Sequence, residues 1–262
     1  MLLVIDVGNT EAVLGVYQDR ELRSHWRLST KQHRTADEIW LVLKSWLDGI
    51  SVSEADITGG VISSVVPIWT SLFNTLFKHY MGVSPLLVSS ETDTGIEIIY
   101  DSPRSVGADR ICNAVAGFAQ YGGPLVVVDF GTATTFDVIS ERGEYLGGII
   151  ALGLIGASRE LNRVAAKLPK VELIFPPAVI GTTTESSIQS GIMWGAVALI
   201  DGMIHRIEME RGWDNVRTIA TGGLAEFIAE KAVRIDKVEP LLTLEGMRMI
   251  YQRKCLKMDE EV

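Results

Sequence analysis

Cysteine is scarce. The 262 residues contain two, Cys112 and Cys255, far apart and in no CxxC pair, which excludes a disulfide framework. The four histidines (His25, His33, His79 and His205) are scattered, and with no HExxH they form no zinc pattern. Both thiols read as reduced and structural, which suits a cytoplasmic protein. Basic charge is also short. Lys and Arg number 24 against 33 Asp and Glu, a formal charge of -9, so there is no excess to hold a nucleic acid or an anionic membrane. The opening MLLVIDVG lacks the basic flank of a secretory signal and meets Asp6 at once. The apolar stretch GIMWGAVALIDGMI (191–204) contains Asp201, is too short to cross a bilayer, and reads as a buried core helix. No membrane partner is expected. Also missing are a Pro/Ser-rich linker, a GxxxxGK[ST] phosphate loop and a GxGxxG dinucleotide fingerprint.

What is present is an ordinary globular composition, 47% apolar and 22% charged, long enough for a sizeable core. Residues 2–28 read as three short strands broken at GNT and DRE. TADEIWLVLKSWLDGI (35–50) opens on a Thr before acidic residues and repeats apolar residues at helical spacing. A strand over 57–67 leads to a helix starting near Pro67, a favoured first-turn position. A strand (85–89), a helix (107–120) and a strand (124–130) continue the alternation of an α/β protein. From Pro124 the programme restarts: strands at 134–140 and 143–150, a helix at 153–167, a long helix at 184–211, a strand at 216–223 and a closing helix at 241–253. The tail KMDEEV reads as solvated. We expect two similar halves, residues 1–120 and 121–262, facing each other across a cleft.

Each half opens on the same feature. LLVIDVGNTEAVLGVY (2–17) and PLVVVDFGTATTFDVI (124–139) both run an apolar strand into Asp, with Gly and Thr following. A carboxylate within an apolar strand is costly unless paired or bound, whereas at a strand's end it can face a ligand. Adjacent glycine lets the main chain approach closely. Backbone N–H groups and the hydroxyls of Thr10 or Thr132 can contact phosphate oxygens. The carboxylates can hold magnesium, a potassium-sized cation, or water bound to either. One such turn is also what a plain hairpin looks like. Two favour nucleotide phosphate binding.

This arrangement resembles the acetate and sugar kinase/Hsp70/actin superfamily. Within it, DVGNT (6–10), SSVVP (63–67), GADR (107–110), DFGTATT (129–135), GGII (147–150), GTTTESSIQSG (181–191) and ATGG (220–223) resemble the type III pantothenate kinase family, in that family's order and over nearly the whole chain. The resemblance implies duplicated ribonuclease H-like, actin-like halves, each a mixed sheet flanked by helices. It implies transfer of the ATP γ-phosphoryl group to pantothenate, the first step towards coenzyme A, in a homodimer. Asp6, Val7, Gly8, Asn9, Thr10, Glu11, Ala12 and Val13 would form the first phosphate loop, with Asp6 near magnesium. Asp129 would hold a monovalent cation, potassium or ammonium, and Thr132 would contact the phosphates. Asp109 is the candidate general base. Gly107, Ala108, Asp109 and Arg110 would line the pantothenate pocket, with Tyr100 and Thr184 touching the substrate.

The same residues have plainer readings. Asp109-Arg110 is also a helix cap beside a surface cation, Tyr100 a packing aromatic, and Thr184 the N-cap of the long helix with Glu185 serving the cap. The chain departs from the family's first motif at Glu11, where that motif continues with Asn. Alternation along the strand is expected to turn Glu11 away from the phosphates. The alternative functions are a kinase of this fold with another small-molecule acceptor and a non-catalytic regulatory relative.

Overall fold

The computed structural model describes residues 1–165 and 168–260. Strands β1 (Leu2–Val7), β2 (Glu11–Gln18) and β3 (Glu21–Ser29) come first. Helix α1 (Ala36–Gly49), strand β4 (Gly59–Ser64), helix α2 (Pro67–Leu76), short strands β5 (Leu86–Leu87) and β6 (Glu97–Ile98), and helix α3 (Ala108–Tyr121) follow. The second run is β7 (Leu125–Phe130), β8 (Ala133–Ile139), β9 (Glu144–Leu152), α4 (Leu154–Val164) and α5 (Thr184–Arg211), then β10 (Arg217–Gly222), α6 (Ala225–Ala229), β11 (Lys237–Val238) and α7 (Leu242–Glu260). The expected elements are present with small shifts at their ends. The last positions of the helix expected at 153–167 (166 and 167) lie outside the described residues.

Local chemistry explains the clearest boundaries. Thr35 caps α1: its hydroxyl accepts the Glu38 N–H at 3.2 Å while the Glu38 carboxylate accepts the Thr35 N–H at 2.7 Å, a reciprocal capping box. Pro67 occupies the first turn of α2, where its missing N–H is no loss. At α5 the cap is Thr183 rather than Thr184, and its partner is Ser186 rather than Glu185. The Thr183 hydroxyl accepts the Ser186 N–H at 3.1 Å, and Ser186 Oγ accepts the Thr183 N–H at 3.0 Å.

The chain packs as two compact units, residues 1–116 together with α7, and residues 117–241. Their sheets have one topology. In the first the order is β3-β2-β1-β4-β5, with β1–β2 and β2–β3 antiparallel and β1–β4 and β4–β5 parallel. In the second, which has six strands, the five β9-β8-β7-β10-β11 repeat that order and those directions, and β6 is an added edge strand. β1 and β7 are therefore equivalent central strands. The duplication expected from element order is real, although no literal sequence repeat accompanies it.

Period-two alternation assigns the faces. Leu3, Ile5 and Val7 of β1 join Ile39, Leu43, Trp69 and Phe73 in one buried core with α1 and α2. Val4 lies on the opposite face with Leu244 of α7. In the second unit Val126, Val128 and Phe130 pack with Ile192, Met193, Ile200 and Ile204 of α5, while Leu125 and Val127 lie against Gly117 of α3. α5 is the one helix among the described residues long and apolar enough to span a bilayer by length and composition. Its isoleucine face is core.

One expectation at the C-terminus is corrected. α7 belongs with the first unit, because Leu244, Met247 and Ile250 are buried and the helix packs on β1, β2 and β4. It also continues into the tail, where the exposed Lys257 pairs with Asp93 beside Arg253. Gly246 makes the seat possible: a methyl group there would overlap the Cys112 carbonyl oxygen of α3. Gly246→Ala is expected to cost about 1–3 kcal/mol, through overpacking that the two helix backbones resist. Urea denaturation checks this; an unchanged midpoint would contradict the close approach.

Candidate active site

β1 carries Asp6 to its tip on the face opposite the α1/α2 core, because Ile5 and Val7 point into that core. The parallel neighbour β4 sets Ser63 beside it in register. Ser63 is fully buried, and its hydroxyl donates to Asp6 Oδ1 at 2.8 Å. Such a bond satisfies one oxygen of a carboxylate drawn partly out of water and fixes its plane. The chain then turns: Gly8 N–H donates to the Glu11 carbonyl at 2.9 Å. Val7 and Ala12 are buried, Gly8, Thr10 and Val13 half-buried, and Asn9 exposed.

Glu11 is exposed, and its carboxylate pairs with Arg27 of β3 at 3.3 Å. Its side of the sheet is not the one expected from alternation. Val13 faces Asp6 across the β1–β2 register, and Glu11, two residues earlier, shares that side of the sheet. Alternation therefore does not turn the side chain away. The guanidinium on β3 engages its charge instead.

Asp109 lies in the first turn of α3, where its Oδ1 accepts the Arg110 N–H at 2.8 Å. Gly107 begins that turn, its carbonyl accepting the Ile111 N–H at 3.1 Å. Unpaired N–H groups and the helix dipole favour an anion at this end. One turn on, the same helix face presents Cys112, which is fully buried. Burial pushes its thiol well above the ordinary range, and the negative charges of Asp6 and Asp109 push it further; a hydrogen bond with Ser63 opposes both. The charges of both carboxylates thus act on one buried thiol. Cys112 reads from the sequence as an inert structural thiol, and Ser63 only as part of SSVVP. The signal that could have found Ser63 is its place at the end of a strand, but its pairing with Asp6 needs the β1–β4 register.

In the second unit Asp129 ends β7 on the face of Leu125 and Val127, the counterpart of Asp6. Gly131 N–H donates to the Ala133 carbonyl at 3.1 Å, a tighter version of the Gly8 turn, and Thr132 at its tip is exposed. Gly222 of the ATGG motif has a φ of 92° and sits where any side chain would crowd Asp129 Oδ1 and the Phe130 carbonyl. This glycine therefore serves the carboxylate directly. Tyr100, exposed after β6, and Thr184, exposed at the start of α5, belong to different units.

The donors are hard oxygen ligands. No group of three or more His, Cys, Asp or Glu able to hold a metal occurs among the described residues. Magnesium in phosphoryl-transfer sites is held by one or two carboxylates plus the substrate's phosphates, and Asp6, oriented by Ser63 beside the turn, fits that pattern. Asp129, a carboxylate beside Gly222, is of the oxygen-donor type that a hard cation takes.

Two halves of one topology, each with a carboxylate at the tip of its central strand, define an α/β protein of the duplicated ribonuclease H-like, actin-like class. Solved structures share this fold. The ROK hexokinase of Thermus thermophilus matches with a TM-score of 0.51 at 13% identity, covering 97% of this chain and 99% of that one. The activator of the 2-hydroxyisocaproyl-CoA dehydratase from Clostridium difficile, with bound ADPNP, matches with a TM-score of 0.58 at 11% identity, covering 100% and 97%. Sequence narrows the class. The profile of the type III pantothenate kinase family matches residues 2–206. A type III pantothenate kinase of Roseiflexus sp. (strain RS-1) is 48% identical over 252 residues, which is 96% of this chain and 98% of the relative. The chain belongs to the type III pantothenate kinase family.

The Glu11 carboxylate has an exposed cation, Arg27, as its partner. Glu11→Asn is expected to leave the KM for ATP within about fivefold, the range of an exposed ion pair. Steady-state kinetics with varied ATP checks this, and a larger fall in KM would mean that the carboxylate acts on the phosphates.

Proposed function

We propose that this chain catalyses ATP-dependent phosphorylation of pantothenate at its primary hydroxyl, the first step of coenzyme A biosynthesis, in the cytoplasm. The observation that supports the assignment of residues is the Ser63–Asp6 hydrogen bond at the tip of β1, beside the turn at Gly8.

Phosphoryl transfer needs neutralised phosphate charge, an aligned hydroxyl and an acceptor for its proton. Residues 6–13 hold the phosphates, with Asp6 as the protein ligand to magnesium and Thr132 as a further phosphate contact. Asp129 holds potassium or ammonium. Bound magnesium and the monovalent cation supply positive charge against the triphosphate. Arg110 binds the pantothenate carboxylate, while Tyr100, Gly107, Ala108 and Thr184 complete the substrate contacts. Asp109 orients the hydroxyl and takes its proton as the new oxygen–phosphorus bond forms and the bond to the leaving ADP breaks. A carboxylate is a weak base, so orientation is the larger part of its contribution.

A homodimer belongs to the same proposal. Its support is an apolar groove of about 460 Å³ in the second unit, lined by Leu152, Leu154, Leu161, Val164, Gly191 and Leu199. Leu152 and Val164 remain 65% and 63% exposed in the single chain, which is the surface a second copy would cover.

The test is a coupled assay of ADP release. Turnover is expected to require pantothenate and potassium or ammonium, with little activity in sodium alone. Absence of pantothenate-dependent turnover would instead favour the regulatory reading or another acceptor. Asp109→Asn is expected to lower kcat by about 100-fold, and wild-type turnover in that variant would remove Asp109 from the role. Asp129→Ala is expected to raise the potassium concentration for half-maximal rate by about 10-fold or more; an unchanged titration would undo that assignment.

A further inference from the structure

The first phosphate turn is held from outside by a residue that no motif contains. Thr30 follows the last residue of β3 and commits three polar groups to three partners. Its N–H donates to the Thr10 carbonyl at 3.0 Å. Its hydroxyl donates to the Gly8 carbonyl at 2.9 Å. Its own carbonyl accepts the indole N–H of Trp69 at 3.2 Å. Trp69 is buried on α2 and packs against Phe73 in the core, so the last of these bonds anchors Thr30 to the rigid part of the unit.

The consequence follows from peptide geometry. A trans peptide points its C=O and its N–H in opposite directions. Drawing the Gly8 carbonyl towards the Thr30 hydroxyl therefore turns the N–H of Asn9, in the same peptide plane, the other way. Holding the Gly8 and Thr10 carbonyls also keeps two negative dipole ends from swinging towards a bound anion. A turn that recognises phosphate through main-chain N–H groups needs both effects, and glycine at position 8 would otherwise leave that peptide free to flip.

We propose that Thr30 is a positioning residue for the nucleotide: clamped by Trp69, it fixes the Gly8–Thr10 turn so that the Asn9 amide faces the phosphates. This rests on reading residues 6–13 as a phosphate loop. Its mark is selectivity for one substrate. Loss of the clamp weakens nucleotide binding and leaves pantothenate binding alone, which general destabilisation would not do.

The experiment is titration calorimetry of a non-hydrolysable ATP analogue with magnesium, on the wild type, Thr30→Val, Thr30→Ser and Trp69→Phe. Thermal melting establishes that each is folded. Thr30→Val removes the hydroxyl and keeps the N–H and the shape. It is expected to weaken analogue binding about 3- to 10-fold, the worth of one hydrogen bond, with the KM for pantothenate unchanged. Thr30→Ser is expected to bind within about twofold of the wild type, since it restores the donor. Trp69→Phe, which keeps a ring in the core and deletes the N–H, is expected to weaken the analogue in the same direction by about 2- to 5-fold. It decides the matter if Thr30→Val does not fold. Wild-type affinity in folded Thr30→Val, or in Trp69→Phe where that variant must decide, overturns the inference. Equal losses for the nucleotide and pantothenate also overturn it. If the wild type itself does not bind the analogue, the phosphate-loop reading falls, and the inference with it.

Discussion

A carboxylate at the tip of a buried strand governs the rest of this structure. β1 and β7 are apolar along their length and central in their sheets, so the acidic residue that ends each one leaves the core on the side where a partner must meet it. In the first unit the partner is Ser63, delivered in register by a parallel neighbour. In the second, the carboxylate is flanked by Gly222, where the backbone of β10 comes close because no side chain intervenes. The two surroundings differ chemically, yet each carboxylate stands at the mouth of a tight turn.

Helix α3 joins this carboxylate to a second one. Asp109 needs the helix N-terminus to be stable where it sits, and Cys112 needs to be small and apolar enough to fill the space one turn below. The approach of α7 is matched to this: Gly246 lies directly on the Cys112 carbonyl. The C-terminal helix thereby belongs to the packing of the N-terminal unit, although most of the chain separates them in sequence.

Much of this was legible in the residues themselves. The alternation of Leu3, Ile5 and Val7 with Val4 and Asp6, the capping pair Thr35 and Glu38, and Pro67 at a helix start are local signals, and each describes the element observed. The repeated order of elements disclosed the duplication, and the motifs disclosed the family. Ser63 as the partner of Asp6 was not legible, because it lies 57 positions away and depends on a parallel pairing. Thr30 was hidden for the same reason: nothing in ELRSHWRLST marks its last residue as the keeper of a turn 20 positions earlier. The cap at Thr183 was missed by one residue, since TTTESS offers several hydroxyls and only the path of the chain selects one. The outcome for Glu11 was argued from alternation, a rule that holds within a strand but does not include an arginine on the next one.

The sequence alone determined the class of each element, the two acidic strand tips and the kinship of the chain, because these rest on neighbours within a few residues and on motif order. Tertiary structure decided which side chain orients which carboxylate, which unit claims the last helix, and where the charge of Glu11 is met. Those matters depend on strand register and helix docking, which bring together residues that no local spacing can relate.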